Sequence, residues 1–121
     1  MIDGEFNNKG ELVFQIRLIA ANEDLISETA ILDTGFTDWL LINNEYARSL
    51  GWVLKKSQKR MQTAGGTKNF NIYQGIVVID REELIVRALG ADEMEDIFLG
   101  VKWRQIKRLV ADCPAGVLTL G

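Results

Sequence analysis

The sequence predicts a mainly β domain closing into a small barrel, and three observations predict it. Apolar residues alternate at period two along much of the chain. In residues 11–20 (ELVFQIRLIA), Phe14, Ile16 and Leu18 share one face while Gln15 and Arg17 take the other. Turn chemistry punctuates these runs at short intervals, as in Asn7-Asn8-Lys9-Gly10, Asn22-Glu23-Asp24 and Gly65-Gly66. At 121 residues, 47% of them hydrophobic, the chain can bury a core but is short for a many-stranded sandwich.

Taken in order, residues 1–6 are expected to pair with residues 11–20 as a hairpin. Residues 25–32 form a third strand that ends apolar in Ala30-Ile31-Leu32. Trp39-Leu40-Leu41-Ile42 reads as a fourth strand, buried on both sides. Asn43 or Asn44 caps a short helix running to Leu50, and Gly51 stands where a left-handed C-terminal residue belongs. Residues 59–64 and 67–80 flank Gly65-Gly66, which predicts a type I′ hairpin with positive φ at both glycines. Arg81-Glu82-Glu83 turns into a strand over 84–89, and an acidic loop (Asp92, Glu93, Glu95, Asp96) leads to Ile97-Phe98-Leu99. A second short helix is expected over residues 101–108. Strands at 109–111 and 117–120 then enclose a turn at 113–116. With no repeat and no linker, residues 1–121 are expected to form one domain.

The composition excludes much chemistry. There is no histidine, so Ser-His-Asp and Cys-His catalysis and histidine-containing zinc sites are ruled out. The single cysteine, Cys113, cannot form an internal disulfide and has no histidine base to make it a nucleophile. The acidic loop lacks the spacing of an EF-hand, so no metal and no cofactor are expected. Acid–base work falls to carboxylates. A net charge of −3 argues against a dedicated nucleic-acid binder. The basic clusters Lys55, Lys56, Lys59, Arg60 and Lys102, Arg104, Lys107, Arg108 read as solvated faces. No apolar run approaches the ~20 residues of a membrane span, and the N-terminus lacks a signal-peptide pattern. A cytoplasmic protein without membrane or nucleic-acid partners is the expectation.

The stretch that carries chemistry is Ala30-Ile31-Leu32-Asp33-Thr34-Gly35-Phe36-Thr37-Asp38-Trp39-Leu40-Leu41. One apolar strand runs into Asp33 and another leaves it, which predicts a carboxylate in a tight loop with little water around it. Ile31-Leu32-Asp33-Thr34-Gly35 resembles the active-site loop of the retropepsin-like aspartic proteases, the single-domain group that includes retroviral and small bacterial enzymes. The Gly65-Gly66 hairpin is similar in place to the flap of that family. Phe98-Leu99-Gly100 is similar to its second signature, whose glycine lets a strand cross close beneath the catalytic loop.

The resemblance implies a small closed β-barrel of retropepsin type, with one or two short helices and a hairpin flap. It implies Asp33 as the catalytic group and Thr34 as the residue that holds the two loops of a dimer in register. Gly35 would let the loop backbone come close and present its N–H to the carboxylate. Ala64, Gly65 and Gly66 would form the flap tip over bound substrate, and Leu99 and Gly100 would support the loop. Only one Asp-Thr-Gly is present, so a dyad requires two identical chains around a two-fold axis. The implied activity is an aspartic endopeptidase acting as a homodimer on peptide or protein substrates. The alternative is the same barrel kept as a non-catalytic, dimeric peptide-binding module. Asp38 and Trp39 depart from the family pattern, and for Asp38 both a solvated strand position and a place lining the site stay open. Trp39, Trp52 and Trp103 are expected to pack in the core or an interface.

Overall fold

The computed structural model describes residues 1–121. Six strands close a ring: β3 (Leu12–Ile19), β4 (Leu25–Leu32), β9 (Ile97–Leu99), β5 (Leu40–Asn43), β8 (Glu82–Ala91) and β7 (Gly66–Ile79). Antiparallel pairing of β7 back to β3, with Arg17 opposite Val78 and Leu18 opposite Val77, closes the barrel. The ladder is antiparallel except where β4 runs parallel to β9 and β5 parallel to β8. β6 (Val53–Thr63) extends the sheet beyond β7 as one arm of a long hairpin.

The period-two pattern sets which side chains fill the ring. Phe14, Ile16 and Leu18 point inward from β3, and Leu40 and Ile42 from β5; Leu99 from β9 joins them, all but unexposed. Burial of each such side chain contributes about 1.5–3 kcal/mol. The short helix α1 (Asn44–Ser49) covers one end. Of the two candidate caps it is Asn43 that accepts the Tyr46 N–H, at 3.1 Å, and Gly51 takes φ 73° just past the helix end, as the sequence predicts.

Three expectations are corrected. The first hairpin is shorter than predicted, because only β2 (Glu5–Phe6) pairs with β3. β1 (Ile2–Asp3) instead joins β11 (Val117–Leu120), which also pairs with β10 (Leu109–Asp112) in a separate three-stranded sheet. Gly4 separates the two short strands, with its N–H donated to the Leu118 carbonyl.

The second helix does not form. The N–H groups of Val101 and Lys102 are taken by the carbonyls of Phe36 and Asp38, and Trp103 is pulled into the core. Further along, the Ile106 and Lys107 N–H groups close short turns on the Trp103 and Gln105 carbonyls instead of reaching back four residues. The hairpin turn is also different: Thr63 pairs with Gly66, so Ala64 and Gly65 are the central residues, and only Gly66 has positive φ (103°). That pattern is not a type I′ turn.

Trp52 and Trp103 are core residues, as expected, each with its indole N–H donated to a backbone carbonyl (Ile19 and Trp39). Trp39 is half-buried and packs edge-to-face on Trp103, with ring centroids 5.1 Å apart. Cys113 lies exposed in the turn between β10 and β11. No helix is long and apolar enough to cross a membrane.

Candidate active site

The loop from Asp33 to Trp39 joins β4 to β5, two neighbours of the central strand β9. That placement lets the chain around β9 supply the loop's hydrogen bonds. The Asp33 N–H donates to the Leu99 carbonyl at 2.9 Å, and the Gly100 N–H to the Trp39 carbonyl at 3.0 Å. Val101 and Lys102 donate to the carbonyls of Phe36 and Asp38 at 3.0 and 3.3 Å. Phe36 closes a turn on the Asp33 carbonyl at 3.1 Å.

Gly100 makes this crossing possible. A Cβ there would lie 2.6 Å from the Phe36 carbonyl oxygen and closer still to that of Asp38. No side chain fits. Leu99 and Gly100 therefore support the loop by direct contact.

Within this pinned backbone, Asp33, Thr34 and Gly35 face solvent. The Gly35 N–H donates to Asp33 Oδ1 at 2.9 Å, which orients the carboxylate; its other oxygen makes no hydrogen bond within the chain. The expected dry setting is corrected for the single chain. The flanking Leu32 and Leu40 turn into the core and leave the carboxylate standing outside it. Gly35 is not crowded either, since a Cβ there would meet only Asp33 Oδ1, at 3.4 Å.

Asp38 is not solvated. It is 6% exposed, accepts the Trp39 N–H at 2.9 Å through Oδ1, and lies 3.4 Å from Arg87 Nη2 through Oδ2. It thus fastens the end of the loop to β8. Arg87 could not be found from the sequence, because nothing local marks residues so far apart as partners.

The hairpin tip is built differently. Thr63 Oγ1 donates to the Gly66 carbonyl at 2.7 Å and accepts the Gly65 N–H at 3.2 Å, while Ala64 and Gly65 are exposed. No hydrogen bond joins this tip to the Asp33 loop.

A further polar network also escaped the sequence. Asn44 Oδ1 accepts from Tyr73 Oη and Asn71 Nδ2, both at 3.1 Å, and its Nδ2 donates to Asp92 at 2.8 Å. Nearby, Tyr46 donates its hydroxyl to Glu28. Burial, and then the hydrogen bond and negative charge of Glu28, push the Tyr46 hydroxyl above the usual phenol range. No cluster of three or more potential metal-ligating His, Cys, Asp or Glu side chains is present.

No family model and no curated protein matches this sequence. Solved structures do. A retropepsin-like aspartic protease from Rickettsia conorii is similar over 98% of this chain and 88% of that one, at TM-score 0.67 and 21% identity. The EIAV protease complexed with the inhibitor HBY-793 is similar over 78% of this chain and 86% of that one, at TM-score 0.58 and 19% identity. The closed barrel, with its Asp-Thr-Gly loop braced by Leu99 and Gly100, is the fold of the retropepsin-like aspartic proteases.

Proposed function

We propose that the chain is one half of a homodimeric aspartic endopeptidase, with Asp33 from each subunit forming the catalytic dyad. The observation that carries this reading is an exposed, oriented Asp33 carboxylate on a loop otherwise held rigid by its own barrel. An oriented acid on a fixed backbone is what general acid–base chemistry requires. The likeness of the fold to aspartic proteases supports the same conclusion.

Docking of a second copy over the loop would bury both carboxylates and bring them together. Two such groups about 3 Å apart do not both ionise, so they share one proton and titrate as a pair. The ionised member takes a proton from water as it attacks the peptide carbonyl. The protonated member donates to the carbonyl oxygen, and a proton then passes to the departing amine. Thr34, exposed beside Asp33, would meet the partner's loop. In the terminal sheet β11 is paired on both sides, which leaves the outer edges of β1 and β10 for strand pairing between copies. The hairpin tip at Ala64, Gly65 and Gly66 would close over an extended peptide.

Replacing Asp33 with Asn tests the reading. Peptide cleavage should fall by about 10²–10⁴-fold, while dimerisation and thermal stability stay unchanged. Cleavage should also decline as pH rises past the point where the pair loses its shared proton. A dimer that binds peptides but never cleaves them would assign the barrel to the non-catalytic alternative.

A further inference from the structure

The long hairpin of β6 and β7 is charged in one sense only. Residues 53–79 hold five of the fourteen Lys and Arg (Lys55, Lys56, Lys59, Arg60, Lys68) and none of the seventeen Asp and Glu. The rest of the chain therefore sets nine basic residues against seventeen acidic ones. None of the five hairpin cations makes an ion pair within the chain, whose only such contacts are Met1–Asp80 and Arg87–Asp38.

The distal hairpin also has two unlike faces. Register places Lys59 opposite Phe70 and Met61 opposite Lys68, so these four side chains share one face. On it Lys59, Met61 and Phe70 are half-buried and Lys68 is exposed, whereas Arg60, Gln62, Thr67 and Asn69 on the other face are all exposed. Lys68 bends back over the turn, its Nζ 3.4 Å from where a Cβ on Gly65 would lie. The sheltered face thus offers two ammonium groups beside two apolar side chains, close to the tip.

We infer that this face selects extended peptides in which acidic residues alternate with apolar ones, and so makes acidic segments the preferred substrates. The inference rests on the proteolytic reading for the position of the hairpin over bound peptide. In an extended chain alternate side chains point the same way, so one set reaches Lys59 and Lys68. The acidic side chains belong at positions removed from the scissile bond, because the ionised member of the Asp33 pair repels a carboxylate beside it. The acidic remainder of the molecule repels such peptides elsewhere, which directs them to the hairpin.

The test titrates the Asp33→Asn protein with labelled peptides of equal length in which alternate positions are Glu, Gln or Lys. At pH 6.5 and low salt the Glu peptide should bind about ten-fold more tightly than the Gln peptide, with each exposed charge pair supplying roughly two- to five-fold. Lys59→Glu combined with Lys68→Glu should reverse that order, and raised salt should compress it. Lys107→Glu, outside the hairpin and exposed, should leave it unchanged.

Charge-blind binding, a preference for the Lys peptide, no binding of any peptide, or a preference untouched by the double substitution would each overturn the inference. So would tighter binding of a single-stranded oligonucleotide than of the Glu peptide, with a steep salt dependence. Wild-type cleavage of the same peptides separates the two claims. Asp33-dependent cleavage without charge preference removes only the inference, whereas acidic preference without cleavage sustains hairpin recognition and removes the protease.

Discussion

The Asp33 loop and the hairpin tip are both short connections between strands, yet they are held in opposite ways. Carbonyls of Phe36, Asp38 and Trp39 each accept an N–H from residues 100–102, and Asp38 adds a charged tie to β8. The tip is secured by its own ladder, by Thr63 and by the Thr67 hydroxyl donating to Gln62 across the hairpin at 3.0 Å, all contacts within the hairpin itself. A left-handed Gln58 (φ 51°), whose N–H donates to Asn71 Oδ1 at 3.0 Å, marks the irregular pairing near the hairpin base. On the proposed reading the difference is a division of labour: one connection would fix the reactive carboxylate in place, and the other would move over bound peptide.

Substitutions should expose this contrast. Gly100→Ala forces a methyl group against two loop carbonyls, and overpacking there should cost about 3 kcal/mol and displace Asp33. Thermal denaturation and cleavage should therefore fall together. Asp38→Ala strands the Arg87 guanidinium and frees the Trp39 N–H, at a cost of about 2 kcal/mol, since Arg87 is partly open to water. Here too stability and activity should decline in parallel, with Asp38→Asn the milder change.

Tyr46→Phe breaks the hydrogen bond to Glu28, remote from both regions, and should cost about 1.5 kcal/mol in urea unfolding at neutral pH without changing cleavage. Because folding raises the Tyr46 pKa, its contribution is fully present below ~10, the phenol value in the unfolded chain, and declines as pH climbs above that. The gap between wild type and Tyr46→Phe should accordingly narrow in alkaline urea titrations. Gly66→Ala is the smallest effect: a positive φ with open space around it implies about 1 kcal/mol. Hydrogen exchange should rise at the tip and stay unaltered in the Asp33 loop.

Much of this was legible in residues. The alternation in β3, the full extent of β4 and β9, the Asn43 cap and the Asp33 loop follow from patterns spanning a few positions. What escaped depends on partners far along the chain. Residues 101–108 look helical until Trp103 is drawn into the core and its indole N–H finds the Trp39 carbonyl, leaving short turns in place of i→i−4 bonds. Asp38 looks like a surface acid until Arg87 arrives from β8. β1 leaves its neighbour for β11 because the two ends of the chain meet. Asp33 stands exposed in the single chain for a related reason: its apolar neighbours in sequence point inward, so they do not shield a side chain that points out.

The central claim, that two copies share one catalytic centre, is tested most directly by mixing wild-type and Asp33→Asn subunits and allowing them to exchange. In an equal mixture half of the wild-type chains should pair with an inert partner, so activity per wild-type chain should fall to about half. Further excess of the variant should drive it toward zero. Activity per wild-type chain that stays constant at every ratio, in subunits shown to exchange, would contradict the account.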